Sequence, residues 1–132
     1  MDGINVWAVL CAALAAFLVG GLWYAPPVFG RTWQREAGLT DEQLRARNPA
    51  VVFGVSFLLS LLAAAVFALF LGPRPTPGFA IGAGLAAGFA WVAASFGINY
   101  LFERRSLRLF AINGGYHTLQ FALYGAALGF IH

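Results

Sequence analysis

The chain is predicted to be an all-α, polytopic membrane protein with four transmembrane helices and a short amphipathic helical loop on the cytoplasmic side. Three observations predict it. The 132 residues are 61% hydrophobic and only 10% charged, with a mean hydropathy of +0.77, so there are too few polar groups to cover a soluble globule. Four apolar runs, at about 4–24, 50–71, 78–102 and 109–131, each approach the roughly 20 residues that a helix needs to cross the hydrocarbon layer. Seven of the eight arginines follow the first and third runs: Arg31, Arg35, Arg45 and Arg47 in the loop 25–49, then Arg104, Arg105 and Arg108. Arg74 alone lies on the other side of that pattern. Basic residues in short loops stay preferentially in the cytoplasm, so both arginine-rich loops are expected there and both termini outside. Residues 1–132 are read as a single transmembrane domain.

The first run is read as a retained helix and not a signal peptide. Asp2 stands where a basic flank would be, and no small-residue cleavage pattern precedes Trp23 and Tyr24. Cys11 follows Leu10 instead of the small residue a lipoprotein signal needs, and as the single cysteine it can form no intrachain disulfide. It is expected to be a small buried hydrophobe. The loop 25–49 is long enough for structure of its own. Pro27 suits a first helical position, after which Val28, Phe29, Thr32, Trp33 and Ala37 fall on one side and Arg31, Gln34 and Arg35 on the other. That pattern predicts a short helix along the membrane surface. Gly38 should end it, with Thr40 and Gln43 forming a capping box for the next helix and Leu39 and Leu44 a hydrophobic staple. The plain alternative is a loop that merely links runs one and two.

In the second run Ser56 and Ser60 are four apart and are expected to bond to their own backbone or to pack against a neighbour. The proline-dense turn Pro73, Pro75 and Pro77 should be a rigid connector. Small residues recur every fourth position at Ala12, Ala16 and Gly20, at Gly84 and Gly88, and at Gly125 and Gly129. Such ridges let helix backbones approach closely, which predicts a compact bundle, a homo-oligomer, or both.

The fourth run carries the most unusual chemistry. Asn113, His117, Gln120 and Tyr124 share one helical face, bordered by Tyr116. Polar groups in hydrocarbon cost several kcal/mol when unsatisfied, so this stripe should point inward. Ser95 and Asn99 on the third run share a face with Gly84, Gly88 and Trp91, so Asn99 is expected to meet the stripe near Asn113. Two meanings stand open. The side chains satisfy one another as interhelical hydrogen bonds, or they line a cavity that binds a small polar solute or a lipid headgroup. His117 is the proton-sensitive candidate. It has no second histidine at membrane depth, so neither a metal nor a haem site is expected, and no cofactor.

A formal charge of +3 and a pI near 9.6 could suggest nucleic acid, but the basic residues are all arginines beside apolar runs. Anionic lipid headgroups are the expected partner, with Arg31, Arg35, Arg104, Arg105 and Arg108 as the candidates. No nucleophile, phosphate-loop or metal-hydrolase motif occurs in the sequence, and no enzymatic role is expected. Trp7, Trp23, Tyr24, Phe29 and Trp33 suit anchoring at the membrane interface.

The segments Ile4-Asn5-x-x-Ala8-Val9, Leu22-Trp23-Tyr24-x-Pro26-x-x-Phe29-Gly30-x-x-Trp33 and Gly38-Leu39-Thr40 resemble a family of small bacterial four-helix membrane proteins known only as a domain of unknown function. Leu101-Phe102-Glu103-Arg104-Arg105 and Ile112-Asn113-x-Gly115-Tyr116 are similar to it as well. The resemblance spans nearly the whole chain and implies a fold and a bacterial membrane location, here the inner membrane. It carries no activity and no catalytic residues. The expected function is a non-enzymatic binding or organising role at the inner leaflet. The competing expectation is a small oligomeric transporter or channel lined by the third and fourth runs.

Overall fold

A computed structural model describes residues 4–132; Asp2, used above in reading the first run, lies outside them. Helix α1 (Val6–Trp23) starts where the Asn5 side chain accepts the Ala8 N–H at 3.1 Å. A π-helical turn, Pro26–Gly30, runs directly into α2 (Arg31–Ala37). Gly38 ends α2 at φ 75°, a left-handed conformation that glycine adopts without steric cost. Next, α3 (Asp41–Ala46) opens on the expected capping box: Gln43 N–H donates to Thr40 Oγ1 at 3.1 Å, and Thr40 N–H to Gln43 Oε1 at 2.8 Å. Asn48 caps α4 (Pro49–Leu71), which has proline in its first turn. Beyond the proline turn, α5 (Pro77–Ala86) passes through a π-helical segment, Ala87–Ala93, into α6 (Ala94–Glu103). Ser106 caps α7 (Leu107–Phe130), accepting from Leu109 N–H at 3.0 Å. Joined through their π segments, these make six continuous helices among the described residues.

The expectation of four transmembrane helices is corrected. Among the described residues three helices are long and apolar enough to cross a membrane: Val6–Trp23, Pro49–Leu71 and Pro77–Glu103. At 24 residues α7 is long enough, but Asn113, His117, Gln120 and its glycines dilute its apolar character. A helix of that composition is held by protein, not by lipid. Accordingly α7 is the central element, packed against α1 on one side and α5 with its π segment on the other. Three such apolar helices make the chain a multi-pass membrane protein.

Small residues dominate the core. Ala8, Ala12, Ala13 and Ala16 of α1 are fully buried and pack with Ala64, Phe67 and Ala68 of α4 and with Tyr124 and Leu128 of α7. The outer faces stay apolar, with Leu14, Leu18, Leu58, Leu62 and Phe89 exposed, as suits contact with acyl chains.

The α5–α7 seam is tighter still. A methyl group placed on Gly84 or Gly125 would collide with the backbone carbonyl of Phe121 or Ala80, and one on Gly88 would lie 2.7 Å from the Thr118 Cα. On Gly129 it would lie 2.6 Å from the Pro77 Cα. These pairs run antiparallel and occupy the third- and fourth-run ridges inside the chain. Cys11 is half-buried on α1.

Two ends can be distinguished. At one, Asn5 Nδ2 donates to the Ile131 carbonyl at 3.2 Å, and the two lie with Arg74 around a common hollow. At the other, Arg105 Nη1 donates to the Ala37 carbonyl at the end of α2, 3.4 Å away, so both arginine-rich loops meet.

Candidate functional site

At the arginine-bearing end the Trp-Tyr-x-Pro-x-x-Phe-Gly segment folds back onto α7. Trp23 Nε1 donates to the Ile112 carbonyl at 2.9 Å, and Tyr24 Oη donates to Asn113 Oδ1 at 2.6 Å. Pro26 opens the π turn, whose Gly30 N–H donates to the Ala25 carbonyl at 3.0 Å. Gly30 is buried against the Tyr24 carbonyl with no room for a Cβ. Phe29 then packs on Trp23 with ring centres 4.8 Å apart, and Trp33 meets Tyr24 edge-on at 5.8 Å. Every named residue of the segment therefore shapes one turn and its docking onto α7.

Within the bundle the polar stripe forms two linked sets. Asn113 accepts from Tyr24 and donates through Nδ2 to Tyr100 Oη at 2.7 Å. Tyr116 Oη donates to the Ala16 carbonyl at 2.7 Å, lying in the notch that Gly20 leaves open. Deeper, His117 Nδ1 is 2.5 Å from Gln120 Oε1, and Gln120 Nε2 donates to Tyr124 Oη at 2.6 Å. Tyr124 Oη in turn lies 2.7 Å from Ser60 Oγ. Among the described residues every buried side-chain nitrogen and oxygen has a partner, as the energetics of burial demand. Ser56 bonds to its own helix at the Val52 carbonyl, 2.5 Å away, whereas Ser60 reaches Ala13 and Tyr124.

Asn99 is not part of the cluster. It is exposed, as is Ser95, which donates to the Trp91 carbonyl at 2.6 Å. The reason is the π segment, which inserts one residue into the helical repeat. Contacts with α7 step from Gly88 to Ala93 and then Gly97, an advance of five positions and then four. Phe96 and Tyr100 thereby take the places that an unbroken α-helix would give Ser95 and Asn99. Tyr100 bonds to Asn113, and Phe96 stacks on His117 at 5.0 Å with an 8° interplanar angle. An Ala-Gly-Phe-Ala-Trp stretch contains no local signal for that insertion. A pair of aromatics four apart was the available hint.

Asn113, Tyr116 and His117 line a cavity of about 660 Å³ together with Tyr24, Trp33 and Arg47. Phe17, Val52 and Phe53 form its apolar side. Gln120 and Tyr124 do not line it and are both buried. Arg47 had no role in the sequence reading beyond topology; here its guanidinium carbon sits 5.5 Å from the centre of the Phe53 ring. Arg31, Arg35, Arg104, Arg105 and Arg108 are exposed around the same end. Two of them are near acidic groups, Arg35 3.8 Å from Glu36 and Arg105 3.4 Å from Glu103. No group of three His, Cys, Asp or Glu side chains gathers among the described residues.

A family model described as "Protein of unknown function (DUF1761)" matches residues 7–129. The chain belongs to this family. No curated protein and no solved structure matches it. Membership of DUF1761 therefore agrees with a family of small membrane proteins and brings no activity with it.

Proposed function

We propose that this DUF1761 protein has a non-enzymatic binding role, holding an anionic headgroup or small polar ligand at the inner leaflet of a bacterial cell membrane. The observation that carries the proposal is the convergence of Asn113, Tyr116 and His117 with Arg47 on one cavity at the arginine-bearing end. By the distribution of arginines that end faces the cytoplasm. A second feature supports headgroup contact. Arg104, at the end of α6, lies exposed with Arg105 and Arg108 at the same end as the cavity.

Binding is favoured over passage because, deeper along α7, Gln120 and Tyr124 are buried and bonded to His117 and Ser60. Self-association would use an apolar outer face and not a glycine ridge, since the ridges of α5 and α7 are occupied within the chain. The test is native mass spectrometry of protein released gently from its own membrane. A reproducible bound mass that disappears on Asn113→Ala supports the proposal; a spectrum with only exchangeable bulk lipid removes it. Arg104→Gln with Arg105→Gln should also weaken retention of anionic lipid in a salt-dependent way.

A further inference from the structure

The direction of the buried hydrogen-bond chain determines what the cavity offers a ligand. At its far end stand two backbone carbonyls, which can only accept. Tyr124 Oη reaches the Ser60 carbonyl at 3.3 Å, and Ser60 Oγ reaches that of Ala13 at 3.4 Å. Gln120 Nε2 donates to Tyr124, which turns Gln120 Oε1 to His117, and the tautomer that matches this acceptor carries its proton on Nδ1. In the neutral imidazole this leaves Nε2 as an acceptor. No partner for Nε2 exists among the described residues, yet no buried side-chain nitrogen is unpartnered, so Nε2 is accessible. The space that His117 lines is the cavity.

Charge supplies the second half. Arg47 lines the same cavity, and no acidic residue does. Among the described residues the ion pairs involve Arg35 and Arg105, not Arg47. The remaining wall is aromatic and apolar, including Phe17, Val52 and Phe53 near the outer faces of α1 and α4. A volume of about 660 Å³ falls within the roughly 300–1,000 Å³ of small-ligand sites. We propose that the cavity binds the headgroup of an anionic phospholipid that carries free hydroxyls, of the phosphatidylglycerol type. Its phosphate pairs with Arg47, a headgroup hydroxyl donates to His117 Nε2, and an acyl chain leaves along Phe53. This proposal rests on the binding role proposed above and names its ligand and its residues.

The experiment loads delipidated protein in nanodiscs with phosphatidylglycerol, phosphatidic acid or phosphatidylcholine and counts retained lipids by native mass spectrometry. Phosphatidylglycerol should be retained above both others. Arg47→Gln should lower its occupancy about tenfold, the effect of losing one charge-assisted contact. His117→Phe should bring phosphatidylglycerol down to the level of phosphatidic acid. Because His117→Phe could disturb the bundle, Gly21→Leu is the companion: Gly21 lines the cavity, and a Cβ there meets nothing within 4 Å, so the variant should fold and block occupancy. Equal retention of phosphatidylglycerol and phosphatidylcholine would overturn both this proposal and the headgroup role. Loss of retention in Arg104→Gln with Arg105→Gln, but not in Arg47→Gln or Gly21→Leu, would overturn the cavity alone and leave surface headgroup binding standing. Displacement of the lipid by millimolar free glycerol phosphate would overturn the lipid as the source in favour of a soluble ligand.

Discussion

The two sides of α7 are built on opposite principles. Toward α5 the contact is backbone on backbone, with Gly84, Gly88, Gly125 and Gly129 against carbonyl and Cα atoms, and no space is left. Toward the arginine-bearing end of α1 the contact is made by long side chains: Trp23, Tyr24 and Tyr116 reach across to bond at 2.6–2.9 Å. The cavity lies on the side where the rings are. One helix thus serves as a rigid seam on one face and a binding wall on the other, and the seam is what allows the wall to keep a hollow beside it.

The comparison is broken most severely by placing side chains in the seam. Gly84→Leu or Gly125→Leu would drive a branched group into the facing carbonyl and should cost about 3 kcal/mol or more. Thermal unfolding in detergent reads this directly, and a melting point within a few degrees of wild type would show that the seam can open. The next effect is Tyr124→Phe, which keeps the ring and deletes the hydroxyl shared by Gln120 and Ser60. Leaving those buried partners unsatisfied should cost about 1–3 kcal/mol, and an unchanged melting point would contradict the directed hydrogen-bond chain.

On the ring side, Asn113→Ala removes the partner of both Tyr24 and Tyr100. At an average near 0.6 kcal/mol for each such bond between membrane helices, the loss should be about 1 kcal/mol, smaller than in the seam. Hydrogen exchange should show it as loosening of the turn Pro26–Gly30; unaltered protection there would separate the turn from α7. The smallest effect belongs to Gly21→Ala, whose added methyl meets nothing within 4 Å. A change beyond about 0.5 kcal/mol would mean that the cavity is closed in the membrane.

Residue patterns made several features legible. The Thr40 and Gln43 capping box formed as read, because its partners lie three residues apart and need no tertiary help. Gly38 ended α2, and the small ridges did let backbones meet. The stripe of Asn113, His117, Gln120 and Tyr124 pointed inward, since a 3.6-residue period is local geometry. Asn99 was misplaced because a π segment several residues upstream changed the phase. The fourth membrane crossing is not borne out: the polar stripe and glycines that turn α7 toward its protein neighbours also leave it outside the three helices apolar enough to cross a membrane.

What the sequence determined by itself was whatever follows from short-range sterics and average polarity: an all-α chain, membrane-associated, with capped helices and inward-facing polar groups. What only the tertiary structure decided was which partners those groups found. Tyr100 instead of Asn99 on Asn113 and Ser60 on Tyr124 are pairings across 13 and 64 positions of chain, and Arg47 shares its cavity with Asn113 and His117 of α7. No local rule specifies them, because the relative rotation and depth of packed helices is set by the sum of many weak contacts along their whole lengths.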